Sequence, residues 1–123
     1  MKPIFSKSLT KTDVQKRLSV PMTSLASLPD FKEGHKVDLW VRDASRQGKV
    51  WKFKCSIRKK NHPKPVFCSE WLEFVRFIDL QVDDRIQFYR EMDDHPPGAN
   101  YYKIEVKKAV KIFGAIFGYV GVA

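Results

Sequence analysis

The sequence predicts a mainly β fold in which several short strands, with a few short helices between them, form a barrel or a sandwich. Three observations favour this fold: apolar and polar residues alternate in several short segments, helical spacing is confined to short stretches, and seven prolines and six glycines supply frequent turns. The length of 123 residues is that of one domain. Since 43% of the residues are hydrophobic and 30% are charged, we expect a globular chain that needs no disulfide or metal for stability.

The N-terminal segment predicts four short elements in order. Ile4–Leu9 predicts a strand, and Thr10 three residues before Asp13 is typical of a helix start. Leu18–Val20 predicts a second strand and Met22–Leu28 a short helix, each ended by a proline.

The clearest strand signals lie between residues 36 and 58. In the first strand the residues of the apolar face are Val37, Leu39 and Val41, which alternate with charged residues. After a turn at Asp43–Gly48, the second strand places Trp51, Phe53, Cys55 and Ile57 on one face and Lys52, Lys54, Ser56 and Arg58 on the other.

A basic turn joins that strand to a return strand, Val66–Cys68. With Asn61 and His62 at the centre of the turn, Cys55 and Cys68 lie opposite each other, and we expect that an oxidant can crosslink them in vitro. In a reducing compartment we expect both thiols to stay free and buried. The cysteines and the three histidines lack the spacing of a zinc site, so we expect no metal and no other cofactor.

The clearest helix signal follows the return strand. Apolar residues recur at three- and four-residue spacing at Trp71, Phe74, Val75 and Ile78, and we expect Ser69 to begin this amphipathic helix. The aromatic residues expected in the core are Trp51, Phe53, Trp71, Phe74 and Phe88. Those expected on outward faces are Trp40 and Tyr101.

The last part of the predicted barrel is built from strands. Leu80 and Val82 are expected to continue the core, and Arg85–Arg90 and Tyr102–Val106 predict two more strands. The segment between them, Asp93–Asn100, contains two prolines and a glycine and predicts a loop.

The charge is unevenly distributed along the chain. Residues 1–64 contain 16 lysines and arginines against 5 acidic residues, a net charge of +11, whereas residues 65–123 contain 7 against 9, a net charge of −2. A basic half is typical of a surface that binds a polyanion, although charge alone leaves open DNA, RNA, an acidic membrane or a merely solvated surface. No apolar run reaches the roughly 18 residues of a membrane span, and the first residues lack the apolar core of a secretory signal, so we expect neither a membrane protein nor a secreted one.

Four motifs in order resemble the plant-specific B3 DNA-binding domain of auxin response factors, abscisic-acid-insensitive regulators and reproductive meristem proteins. The segments are Phe5–Val14 with Arg17–Pro21, Trp51–Phe53, Trp71–Val75 and Leu80–Phe88. The resemblance spans Phe5 to about Val106 and implies a seven-stranded open barrel with short helices, docked in the major groove of double-stranded DNA by two arms. It implies a nuclear regulator of transcription that is not an enzyme, with the domain at residues 1–108 and a tail at residues 109–123.

The resemblance also implies which residues contact DNA. Its first arm, between the first two strands, would use Lys7, Lys11, Thr12, Gln15, Lys16 and Arg17. Its second arm, the basic hairpin, would use Lys54, Arg58, Lys60, Asn61 and Lys64. Arginine and lysine can donate to guanine, glutamine and asparagine can pair with adenine, and the remaining lysines and Thr12 would hold phosphates. Arg17 has an alternative role as a structural cap on the barrel.

Three departures from the family pattern bear on these contacts. The arm between Asp13 and Pro21 is shorter than in the seed-maturation and auxin-response members, so its base contacts are expected to be shifted or missing. Glu70 replaces a common glycine and puts an acid near the second arm. Asp83 stands where a turn prefers glycine, and an aspartate can adopt the left-handed conformation there at some cost.

Two questions stay open from the sequence. The apolar segment Ile112–Ala123 carries no charge and contains three glycines, which fits an added edge strand, a self-association patch or a poorly ordered terminus. A module that kept the fold but binds RNA or protein instead of reading bases is the main alternative function. A metal-dependent nuclease built on Asp30, Glu105 and Lys107 is disfavoured, because the first lies far from the other two in the chain and those two alternate like any solvent-facing strand.

Overall fold

The computed structural model describes residues 2–28, 35–44, 49–57, 64–91 and 101–121. The strands in these residues are β1 (Phe5–Ser8), β2 (Leu18–Ser19), β3 (Lys36–Asp43), β4 (Val50–Ser56), β5 (Val66–Ser69), β6 (Arg85–Arg90), β7 (Tyr101–Ile112) and β8 (Ala115–Gly121). The helices are α1 (Lys11–Gln15), a 3₁₀ helix (Met22–Ser27) and α2 (Trp71–Ile78). No helix among these residues is long and apolar enough to cross a membrane.

Seven strands form a curled, open sheet in the order β1-β6-β7-β3-β4-β5-β2, and β8 pairs with β7 outside this path. Neighbouring strands in the described residues are antiparallel except β3 and β7, which run parallel with Trp40 opposite Tyr101. The two ends of the sheet approach each other, since Lys7 on β1 donates to the carbonyl of Ser19 on β2 at 2.7 Å. The open barrel predicted from the sequence is confirmed.

The core of the barrel is built from aromatic rings. Trp71 of α2 lies 5.6 Å from Phe53 of β4, and Phe67 of β5 lies 5.1 Å from Phe88 of β6, between ring centroids. The five aromatic residues predicted to face inward are all buried. Trp40 is 42% exposed, as expected for an outward face. The amphipathic helix α2 therefore packs on the sheet as its spacing predicts.

The predicted pairing of Cys55 with Cys68 is wrong by one residue. In the β4–β5 ladder Cys55 lies opposite Phe67, and Cys68 lies opposite Lys54. A shift of one residue moves a side chain to the other face of the sheet, so the two thiols point to opposite faces and do not form a cross-strand pair. Burial raises the pKa of Cys55 to about 12, which keeps this thiol protonated. Cys68 is only half-buried, and its Sγ donates to the carbonyl of Lys54 at 3.3 Å.

Two smaller expectations also differ from the structure. Ser69 is the last residue of β5, and the residue that precedes α2 is Glu70, whose side chain forms no cap. The Glu70 carboxylate instead accepts a hydrogen bond from the backbone N–H of Lys52 at 3.3 Å, which ties the helix start to β4. Val82 is 39% exposed and does not continue the core, whereas Leu80 is buried as expected.

The C-terminal segment forms a β hairpin. Strand β7 continues without a break beyond the part that pairs with β6, and its last residues pair with β8 from Lys107 opposite Gly121 to Ile112 opposite Ala115. Of the three alternatives for this segment, the described residues adopt the added edge strand. The division of the chain at residue 108 stays a prediction. The predicted turn Asp43–Gly48 begins at the last residue of β3, and its residues 45–48 lie outside the described residues. The predicted loop Asp93–Asn100 lies wholly outside them.

Candidate nucleic-acid interface

The first arm is the segment between β1 and β2, and a capping box fixes its helix. The hydroxyl of Thr10 accepts from the backbone N–H of Asp13 at 3.3 Å, and the Asp13 carboxylate accepts from the backbone N–H of Thr10 at 2.8 Å. This reciprocal pair satisfies N–H groups that a helix start otherwise leaves without partners. The predicted helix start is confirmed. The predicted contact residues of this arm that lie on its exposed surface are Lys11, Thr12, Gln15, Lys16 and Arg17.

Asp13 also anchors the arm to the rest of the barrel. Its fully buried carboxylate accepts from Lys7 Nζ at 2.9 Å and from the backbone N–H of Ser19 at 3.1 Å, which connects the arm to β1 and β2. Its backbone carbonyl accepts from Trp71 Nε1 at 2.7 Å, which connects the arm to α2. The sequence shows the capping role of Asp13. It does not show this anchor, because the partners on β1, β2 and α2 are brought together only by the fold.

Lys7 has a different position from the other predicted contacts. Its ammonium donates to the Asp13 carboxylate and to the Ser19 carbonyl, and its side chain is only 21% exposed. These bonds use two of its three N–H donors. Lys7 therefore holds the first arm in place. Only one of its N–H groups is left to donate to a phosphate.

The second arm emerges from β4 and β5. Lys54 is half-buried on β4, and Lys64 is exposed just before β5. The other predicted contacts of this arm, Arg58, Lys60 and Asn61, lie outside the described residues. Their roles stay predictions.

Pairing between β2 and β5 places the first arm beside the ends of β4 and β5, from which the second arm emerges. Ser19 lies opposite Val66, and the N–H of Val20 donates to the carbonyl of Pro65 at 3.0 Å. A concavity of about 840 Å³ lies between the arms. The predicted contacts that line it are Lys7, Thr12, Arg17 and Lys64. The structure thus brings together residues of both predicted arms on one surface.

The charges of this concavity are predominantly positive. Among the described residues, the only ion pair that involves either arm is Lys7–Asp13, at 2.9 Å. It neutralises the one carboxylate among the described residues that line the concavity. Within the same residues, the predicted contacts that form no ion pair are Lys11, Lys16, Arg17, Lys54 and Lys64. Away from the concavity, Glu91 pairs with Arg42 at 2.8 Å and, through this hydrogen bond, raises the pKa of the guanidinium.

Comparison with known proteins settles the type of domain. No family model matches this sequence, and no curated protein matches it. A search of solved structures matches the Arabidopsis FUS3–DNA complex with a TM-score of 0.73 and 26% sequence identity, over 89% of this chain and 100% of that chain. The chain has the fold of a B3 domain. The resemblance expected from the four sequence motifs is confirmed.

Two of the departures of this B3-type domain from the family pattern can now be placed. Asp83 has a φ of 77°, so the aspartate adopts the left-handed conformation that the turn requires. Glu70 lies at the start of α2, where its carboxylate is bound to the backbone of β4 rather than free beside the second arm.

Side chains that the sequence did not single out also line the concavity of the B3-type domain. Hydroxyl groups come from Ser19 and Ser56, and Met22 adds an apolar side chain that is 49% exposed. Hydroxyls suit phosphate oxygens, and an apolar side chain suits a thymine methyl group. The only sequence signal for these residues is their position next to the ends of the predicted arms.

Proposed function

We propose that this domain binds double-stranded DNA sequence-specifically, with its two basic arms in the major groove, and that it acts in the nucleus as a regulator of transcription. The observation that carries this proposal is the concavity between the arms, where the exposed cations Arg17 and Lys64, one from each arm, form no ion pair with any residue that the structure describes. The match to a B3-type fold in a complex with DNA supports it. Neither a membrane nor a small-molecule substrate is needed for this function.

The side chains of the two arms suit different groups of the DNA. Arg17 and Arg58 suit guanine, because a guanidinium can donate two parallel hydrogen bonds to one base edge. Gln15 and Asn61 suit adenine. The residues that would hold phosphates, and so fix the register of the protein on the duplex, are Lys11, Thr12, Lys16, Lys54, Lys60 and Lys64.

Binding to duplex DNA is expected to depend strongly on salt. If roughly five phosphates are neutralised by the arms, the logarithm of the affinity should fall with the logarithm of the salt concentration at a slope of about −4 to −5. A fluorescence-anisotropy titration of a labelled duplex at several salt concentrations gives this slope. A slope near zero would contradict electrostatic docking by the arms.

A pair of variants in the second arm separates base reading from phosphate contact. Arg58→Ala should cost about 1–3 kcal/mol on the preferred site and relax the choice of base at one position, because a specific contact is lost. Lys60→Ala is the matched control: it should weaken binding to all sequences alike and reduce the magnitude of the salt slope by about one unit.

Both variants are titrated on the preferred duplex and on its single-base mismatches. If Arg58→Ala loses the same affinity on every duplex, Arg58 is a phosphate contact. Base reading would then lie in the first arm, at Gln15, Lys16 and Arg17, or be absent.

The nuclease alternative gains no support from the structure. The B3 fold is a non-enzymatic DNA-binding domain. Glu105 lies on β7, where its carboxylate pairs with Lys103 at 3.8 Å and accepts from the hydroxyl of Tyr89 at 3.4 Å. Asp30 lies outside the described residues. Magnesium-dependent cleavage of plasmid DNA by the purified chain would overturn this assignment.

A further inference from the structure

The hairpin of β7 and β8 extends beyond the sheet that forms the barrel. Residues of β7 after Lys107 pair only with β8 in the described part of the chain. The turn at the tip has two residues, Phe113 and Gly114, with φ values of 52° and 80°. Positive φ at both positions is typical of a tight hairpin turn, but it is costly for a phenylalanine.

The surface of this hairpin is apolar and exposed. Phe113 at the tip is fully exposed, and Phe117, the extra residue of a bulge in β8, is 69% exposed. The other exposed apolar side chains of the hairpin are Val110, Ile112, Ile116 and Val120. By the register of the hairpin, Val110, Ile112 and Val120 lie on one face and Ile116 lies on the other. Exposed apolar side chains grouped in one hairpin are typical of an interaction site.

The outer edge of β8 is also available for pairing. Its only strand partner among the described residues is β7, so the N–H and C=O groups of its other edge have no strand beside them. Native edge strands are normally protected by charges or proline, yet the segment Ala115–Gly121 contains neither. An open, uncharged edge of seven residues can accept a further strand.

Local charge favours a second copy of this chain as the occupant. The net charge of +9 should keep two copies apart, but two of the lysines on the hairpin are neutralised: Lys108 pairs with Asp84, and Lys111 pairs with Asp83 at 2.9 Å. The β8 strands themselves can meet without repulsion between like charges. An antiparallel pair of identical strands also has the two-fold symmetry that a closed dimer needs. A lipid surface fits less well, because the neutralised lysines offer little attraction to anionic headgroups.

The area is sufficient for such a dimer. Two β8 strands that pair along their seven residues would cover their facing main-chain groups and the side chains beside them, Phe117 included, on the order of 1,000 Å² in total. This is close to the lower limit of a specific protein interface, about 1,000 Å². We infer that the chain forms a symmetric homodimer in which the β8 strands of two copies pair edge to edge, with the exposed apolar side chains of one β8 packed against those of the other across the new strand pair. The inference does not depend on DNA binding, and its test is made without DNA.

The test measures molar mass by light scattering at increasing protein concentration. The wild-type mass should rise from 14.4 kDa towards twice that value. Val120→Lys should keep the mass of a single chain, because Val120 is 53% exposed on β8 and the substitution puts a charge into the apolar contact between the two strands. Val50→Lys is the matched control: Val50 is also 53% exposed in a strand, on β4, and this variant should dimerise like the wild type.

A second variant in the same strand, Phe117→Lys, should also stay monomeric, and it replaces Val120→Lys if that variant fails to fold. Thermal unfolding of each variant shows whether it is folded. Dimers that persist in both folded β8 variants, or are lost equally in Val50→Lys, would overturn the inference. A wild-type chain that stays monomeric would also overturn the inference. If that monomer co-sediments with phosphatidylserine vesicles, the hairpin binds a lipid surface instead of a second copy.

Discussion

Replacing Asp13 by alanine is expected to lower the free energy of unfolding by about 3–5 kcal/mol, the range for removing one partner of a buried ion pair. The substitution leaves the largely buried ammonium of Lys7 without its carboxylate. It also leaves the backbone N–H groups of Thr10 and Ser19 without their acceptor. A buried polar group without a partner is costly, so the losses act together. Urea unfolding followed by circular dichroism measures the effect.

Two further variants sharpen this prediction. Asp13→Asn keeps the shape and one acceptor oxygen but loses the charge, so its loss of stability should be smaller than that of Asp13→Ala. Glu73→Ala removes an exposed acid from α2 and should cost less than about 1 kcal/mol. If Asp13→Ala unfolds like the wild type, Asp13 does not anchor the first arm.

Replacing Trp71 by alanine is also expected to cost about 3–5 kcal/mol, as for other large buried aromatic residues. Trp71 is fully buried, its ring lies 5.7 Å from that of Phe74, and its Nε1 donates to the Asp13 carbonyl. The variant leaves a cavity under α2 and removes the connection between this helix and the first arm. Binding of DNA should weaken only as far as the fold is lost.

A series of variants at this position separates packing from hydrogen bonding. Trp71→Phe retains much of the ring but leaves the buried Asp13 carbonyl without its donor, so it should cost about 1–3 kcal/mol. Trp40→Ala, at a tryptophan that is 42% exposed, should cost less than either. An unchanged melting temperature together with lost DNA binding in Trp71→Ala would mean that Trp71 contacts DNA directly.

Periodicity in the sequence was sufficient to predict most of the fold. Strand β6 has the predicted bounds, Arg85–Arg90, and β3 and β4 show the predicted alternation of buried and outward residues. Register was harder to predict, because the basic turn contains no signal for where its centre lies. A shift of one residue was enough to put Cys55 and Cys68 on opposite faces. The C-terminal hairpin was only one of three alternatives, since an uncharged segment with three glycines has no polar face to mark a strand.

The candidate site was predictable only where charge and local spacing define it. Lys11, Lys16 and Arg17 are exposed on the first arm, as a basic segment at a helix would suggest. The anchoring role of Lys7 depends on its contacts with Asp13 and Ser19. These contacts form only in the fold, so a residue-by-residue comparison of motifs cannot predict them. The same limit applies to Ser56 and Met22, which come from different elements and meet only in the concavity.

The central claim, that this domain reads the sequence of double-stranded DNA, is tested most directly by selecting its preferred site from random duplexes and measuring affinity for that site. The competitors are a scrambled duplex of the same composition and a single-stranded RNA of the same sequence. The account predicts one enriched motif, bound about a thousandfold or more tightly than the scrambled duplex at physiological salt. It also predicts that the RNA competes poorly. Equal affinity for the selected and scrambled duplexes, or tighter binding of the RNA, would contradict it.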